Sequence, residues 1–274
     1  MMLEVFISIL YAFLSLLQIL LAPKIGPNPY FGFRIGYTFS NPIVWKKTNL
    51  LIGSIMLLHS LILLFLSLID ISLLLYILLF MGPLILIMIA GIIYASHKLE
   101  EYGRGEIKKV EPVRPLEASF IWKNLGMIFF FILLTLMAIT YNSLPDNIAV
   151  HFDMNGTPNG WSNKNDFFLW YLVFSIIYLG IVYLIVYVGK KYPIALHSGV
   201  MRIGRDTTFK SSILAMNLVI LVLIITYVGI YFANVKPESS EIISYVVIFI
   251  FSIVFVPIGY IIYRWNRVRK GVEE

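Results

Sequence analysis

Residues 49–95 read NLLIGSIMLLHSLILLFLSLIDISLLLYILLFMGPLILIMIAGIIYA, and Asp70 is the one formally charged side chain among them. An α-helix rises 1.5 Å per residue, so about 20 apolar residues cross the hydrocarbon of a bilayer. The stretch is too apolar for water and too long for one crossing. It therefore reads as two spans, 50–69 and 72–95, folded back at a tight turn near Asp70. Outward from it, 2–22, 119–141, 167–188, 212–233 and 242–263 qualify in the same way. The fold expected is an all-α polytopic membrane protein with seven transmembrane helices. Met2–Ala22 carries Glu4 and no basic n-region, which fits a spanning helix and not a cleaved signal peptide.

The whole composition agrees. The chain has 274 residues, 59% of them hydrophobic and only 13% charged, and a mean hydropathy of +0.87, where a soluble domain carries about 25% charged residues. The formal charge of +6 does not point to nucleic acid, because the basic residues flank apolar segments and form no basic domain. They suit anionic headgroups, making the lipid bilayer the first partner. With no cysteine, disulfides, thiolate chemistry and cysteine zinc sites are excluded.

Lysine and arginine set the orientation. Loop 23–49 holds four, 96–123 six, 189–211 five and the tail after Tyr263 four, leaving only Lys164 and Lys236 for the other side. The positive-inside rule puts the rich side in the cytoplasm, with the N-terminus outside and the C-terminus inside a multi-pass cell-membrane protein. Residues 142–166 then lie outside, between the fourth and fifth helices.

Two cytoplasmic loops resemble each other. Arg34-Ile35-Gly36 and Arg202-Ile203-Gly204 are each followed, fifteen residues after the arginine, by Asn49 and Asn217. The 168-residue offset also lays the first helix near the fifth and the third near the seventh, which predicts a parallel three-helix repeat. The domains expected are a membrane unit at 1–95, a charged cytoplasmic linker at 96–118, a connector helix and external loop at 119–166, and a second membrane unit with a basic tail at 167–274. Over 97–117 the linker balances five basic against five acidic residues. Ser40-Asn41-Pro42 supplies an N-cap with proline at the first helical position. Arg34 and Arg202 serve as interface anchors, as a shared fold-defining contact or as a ligand site.

In the external segment LPDNIAVHFDMNGTPNGWSNK, residues 144–164, Ile148, Val150, Phe152 and Met154 alternate with Ala149, His151 and Asp153. Period two predicts a short external β-hairpin with one apolar face on the helix tops. Asn155-Gly156 provides its turn and Asn159-Gly160 a second one. His151 and Asp153 are the candidate ligand-binding pair, with Asp146 and Trp161 beside them and Asp166 near. One external histidine among carboxylates lacks the ligand set of a zinc site, and no nucleophile–base pair is visible. No metal, cofactor or catalytic residue is therefore assigned, and the reading is non-enzymatic.

Leu144-Pro145-Asp146-Asn147-Ile148, His151-Phe152, Gly156, Trp161 and Lys164 resemble the LPxxIPxHFxxxGxxDxWxxK signature of domain of unknown function 1648. Ala149 replaces its second proline, and Asn159 stands near its aspartate. FGFRIGYTFSNPIVWKKTN, residues 31–49, is similar to the SdpI signature in its arginine, threonine, tryptophan and asparagine. Here this cytoplasmic stretch precedes the external one, the reverse of their order in SdpI. The resemblance implies an SdpI-like toxin-immunity or envelope-signal sensor. A peptide toxin or envelope ligand would be its partner outside and a regulator its partner in the cytoplasm.

Within the spans, His59 is the notable ionisable group; such residues are functional candidates by default, although a bond to a neighbouring backbone or to Ser54 would also account for it. Gln18 and Asn217 are candidates for interhelical hydrogen bonds. Gly82-Pro83 and Pro257 predict kinks. Broken helices in a repeat also suit a small transporter or channel, the alternative function, but no acidic residue lies near a midplane.

The absence of native cysteine makes topology directly testable. Single cysteines at Asn159 and at Gly105 should label oppositely with an impermeant thiol reagent on intact cells, the first at once and the second only after lysis. Labelling of both from one side would refute the odd number of spans between them.

Overall fold

The computed structural model describes residues 2–28, 30–69, 71–103, 114–153, 156–196, 204–236 and 242–269. The elements run α1 (Met2–Ile25), α2 (Gly36–Phe39), α3 (Pro42–Ser67), α4 (Leu73–Gly103), α5 (Phe120–Thr140), β1 (Asn147–Phe152), β2 (Pro158–Asn163), α6 (Lys164–Lys191), α7 (Arg205–Val235) and α8 (Ile242–Arg269). Among the described residues seven helices, all but the one-turn α2, are long and apolar enough to cross a membrane. The protein is a multi-pass membrane protein, and its described residues include a short two-stranded hairpin.

Local chemistry explains the helix ends. The Asn41 side chain accepts from the amides of Ile43 (2.7 Å) and Val44 (3.4 Å) ahead of Pro42 at the first helical position, so α3 starts where the sequence predicts. Ser119 caps α5 through the Trp122 amide. α1 closes at Gly26, whose φ of +76° turns its amide back to the Ala22 carbonyl. The helices overrun their apolar cores. α4 carries on through 96–103, residues assigned above to the linker, and α7 begins seven residues before its apolar run. Hydropathy marks where hydrocarbon ends, whereas backbone hydrogen bonding continues until a cap or breaker intervenes. Asp70 and residues 104–113 lie outside the described residues.

The chain forms two compact units. One comprises Met1–Pro115 with Lys191–Arg205 and the other Leu116–Lys190 with Asp206–Glu274. In the first, α1 lies on α3, where Gly53 leaves no room for a Cβ against Ile19, and α4 packs beside α3. Tyr11, Leu63 and Tyr76 form its buried centre, and the Tyr76 hydroxyl donates to the Glu4 carbonyl at 2.9 Å. In the second, Leu133, Met137, Leu144, Ile148, Phe167, Ile224 and Tyr227 bring α5, α6, α7 and β1 into one cluster. Phe167 stacks on Tyr227 with ring centres 5.7 Å apart. Gly189, on α6, has the buried Phe209 ring directly against it, the close approach that small residues permit between membrane helices.

The start of α3 gives a quantitative expectation. Asn41→Ala should cost about 1 kcal/mol of stability, read as a lower melting temperature in detergent, whereas Asn41→Asp should retain most of it.

Candidate functional site

The hairpin is built from below. Lys164, first residue of α6, donates from Nζ to the Leu144 carbonyl (2.8 Å) and the Tyr141 carbonyl (3.4 Å), and lies over the Tyr141 ring. Its own amide donates to the Asp146 carbonyl at 2.8 Å. This lysine thus ties the end of α5 to the start of α6. The Asp146 carboxylate is 3.5 Å away but 95% exposed, so the ion pair contributes little beside these bonds. Ile148 and Leu144 seal the base over Tyr227 and Phe167.

β1 and β2 pair antiparallel with Asn147 opposite Asn163, Ile148 opposite Ser162, Ala149 opposite Trp161, and, after a bulge, His151 opposite Gly160. The Ala149 amide donates to Asn234 Oδ1 (2.8 Å), and Asn234 Nδ2 donates to the Ala149 carbonyl (2.9 Å) and to the Ile230 carbonyl (2.8 Å). A side-chain amide of α7 thereby acts as a third strand one residue long. Because both backbone groups of Ala149 point to Asn234, Ala149 and Trp161 are a non-hydrogen-bonded pair. The Trp161 amide and carbonyl then face off the far edge of β2.

Two expectations are corrected here. Asn159-Gly160 does not turn but lies inside β2; Gly160 is required because a Cβ there would come within 2.9 Å of His151 Cβ. The polar face does not include Ala149, which is buried, while Phe152 is only half-buried. The bulge at Val150 and the Asn234 bonds rotate the strand away from simple alternation. The other turn forms as expected at Gly156, with φ of +78°; Met154 and Asn155 lie outside the described residues. Asp153 holds it, accepting from the Thr157 amide through Oδ1 at 2.8 Å and from the Gly156 amide through its carbonyl at 3.0 Å.

The predicted site residues therefore separate. Asp146 is at the base, Asp153 is engaged in the turn, and His151 and Trp161 are exposed on the strands. His151 is hydrogen-bonded through Nδ1 to Asn159 Oδ1. A carbonyl oxygen only accepts, so Nδ1 carries the proton and, in the neutral ring, Nε2 is the accepting nitrogen. Asn159, which stands near the aspartate of the signature, is thus the histidine's partner, and here that partner is uncharged. Among the described residues no group of three or more histidines and carboxylates converges as a metal site.

The 31–49 stretch folds into a plug on α1 and α3. Asn49 is fully buried, accepting from the Phe33 amide (2.6 Å) and from Gln18 Nε2 (3.3 Å) and donating to the Trp45 carbonyl (3.0 Å). Gly32 passes so close, at φ of +105°, that a Cβ would lie 2.6 Å from that amide oxygen. Trp45 Nε1 donates to the Ala22 carbonyl at 2.7 Å. Burial pushes the Tyr37 hydroxyl up to about 12, Tyr192 and Glu100 adding to it, and Arg34 is left exposed at the surface of the plug. Asn217 is also buried, but donates to the Trp122 carbonyl of α5 at 2.9 Å. The two asparagines of the offset therefore clamp different kinds of neighbour. Arg202 lies outside the described residues. His59 bonds the Leu79 carbonyl at 2.9 Å and the Tyr11 hydroxyl at 3.3 Å, and not Ser54.

Residues 24–95 match the SdpI/YfhL protein family, and residues 128–175 match domain of unknown function 1648. The chain is an SdpI-like membrane protein. Comparisons with curated proteins and with solved structures find no match. In this SdpI-like protein the first match lies within one compact unit and carries Arg34, Asn49 and His59; the second lies within the other and carries the hairpin. Sequence reasoning missed Asn234, which stands 85 residues from Ala149 and outside both motifs. Only its position at the end of an apolar run hinted at it.

Asn234→Leu leaves two backbone groups of β1 without their partner, an expected loss of about 1–3 kcal/mol for buried polar groups left unsatisfied. Limited proteolysis should then nick residues 147–163. Asp153→Ala should loosen the turn to a smaller degree, and His151→Ala should leave proteolysis unchanged.

Proposed function

We propose that the hairpin is the recognition element of a non-enzymatic toxin-immunity or envelope-signal protein, and that it meets its ligand on the outer face of the cell membrane. The observation that carries this reading is a rigid base beneath an open rim. Lys164, Asn234 and Ile148 fix β1, while Trp161 is 63% exposed and its backbone faces off the edge of β2. Exposed aromatic anchors on a rigid support are common centres of binding energy, and an open strand edge suits an extended peptide. Residues 144–166 carry three aspartates and one lysine, which favours a cationic peptide. Arg34 and the basic loops on the opposite face would carry occupancy to a cytoplasmic regulator.

The test is protection of a sensitive host by the expressed protein against a panel of antimicrobial peptides. Trp161→Ala and His151→Ala should lower protection at least tenfold while membrane abundance stays at the wild-type level. If both variants protect fully, the hairpin is a structural lid and this reading is wrong.

A further inference from the structure

The hydrogen bond from His59 has a counterpart in the α4 backbone. Pro83 lies inside α4 and has no amide hydrogen, so the carbonyl four residues earlier loses its helical donor. That carbonyl belongs to Leu79, and it is the group bonded by His59 Nε2 at 2.9 Å. Water cannot take the histidine's place. The surrounding groove, a cavity of about 370 Å³, is lined by Leu58, Ile62, Leu79, Pro83 and Leu86 together with His59. Leu58 and Leu86 are more than 60% exposed inside spans, so the groove faces hydrocarbon, where unpaired backbone groups have no alternative partner.

The ring is held from a third helix. Because the Leu79 carbonyl can only accept, Nε2 carries the proton, and in the neutral ring Nδ1 accepts from the Tyr11 hydroxyl at 3.3 Å. Tyr11 meets His59 edge-on with ring centres 5.6 Å apart and Phe80 at 5.4 Å. One imidazole therefore joins α1, α3 and the proline-freed carbonyl of α4. Beside Pro83, Gly82 has no side chain to pack, and a Cβ there would meet nothing within 4 Å.

We infer that His59 is the latch of a hinge in α4: it selects one bend at Gly82-Pro83 by supplying the donor that proline removed. Without it the two halves of α4 move relative to each other. The device lies wholly within one unit and does not depend on ligand recognition by the hairpin.

Since the chain contains no cysteine, spin labels at Leu75→Cys and His97→Cys, 22 residues apart and about 33 Å along a straight helix, report the bend in the full-length protein in nanodiscs. The unmodified latch should give one narrow distance distribution. His59→Leu should broaden it and lower the melting temperature by several degrees. Pro83→Ala restores an amide to the Leu79 carbonyl, so His59→Leu in that background should neither broaden the distribution nor shift the melting temperature comparably. His59→Gln, which keeps a donor, should recover part of the narrow distribution, and Tyr11→Phe should broaden it slightly and only when Pro83 is present. These milder variants answer the question if His59→Leu does not fold. The latch is overturned if the histidine variants leave the distribution narrow, or if they broaden it equally with and without Pro83.

Discussion

Within hydrocarbon every backbone amide and carbonyl must find its partner inside the protein, and at two places in this chain, Phe33 and Leu79, a polar side chain supplies the partner that the helical ladder does not. Trp45 donates to the Ala22 carbonyl in the last turn of α1, which also accepts the Gly26 amide. Asn49 receives the Phe33 amide as the chain re-enters the helical layer. Asn217 reaches the Trp122 carbonyl in the first turn of α5, and His59 the Leu79 carbonyl before Pro83. Asn49 and His59 thus answer an interruption, a loop and a proline, whereas Trp45 and Asn217 tie helices together through carbonyls that also belong to a helical ladder. The apolar residues between them supply packing but no direction, because lipid tails are as apolar as leucine.

The hairpin follows the same rule at the membrane boundary. A two-stranded sheet is marginal by itself, and this one draws its stability from the helices beneath it. Ile148 plugs the aromatic cluster of Phe167 and Tyr227, Lys164 gathers the carbonyls where α5 ends, and Asn234 closes the outer edge of β1. The side chains left exposed on the strands are those that these contacts do not use. That separates Trp161 and His151 from Asp153, which the turn consumes, although all three look equally available in the sequence.

The two family matches include the plug at 31–49 and the hairpin. Much of what the motifs specify is architecture. Asn49 and Trp45 fasten the plug, and Leu144, Ile148 and Lys164 fasten the hairpin. Arg34, His151 and Trp161 are among the motif residues that lie exposed.

The sequence by itself determined the seven spans, the tight return between 50–69 and 72–95, the Asn41-Pro42 start of α3 and the Gly156 turn. Each depends on hydropathy or on chemistry within four residues, which no distant contact needed to arbitrate. Only the tertiary structure decided that Asn159-Gly160 belongs to a strand, since the steric demand comes from His151 across the hairpin. It alone decided that Ala149 is buried, because the bonds that cover it come from Asn234, 85 residues away. His59 shows both levels at once. Its isolation in an apolar run marked it from the sequence, but its partner, a carbonyl freed by a proline on the next helix, became visible only when α3 and α4 were packed side by side.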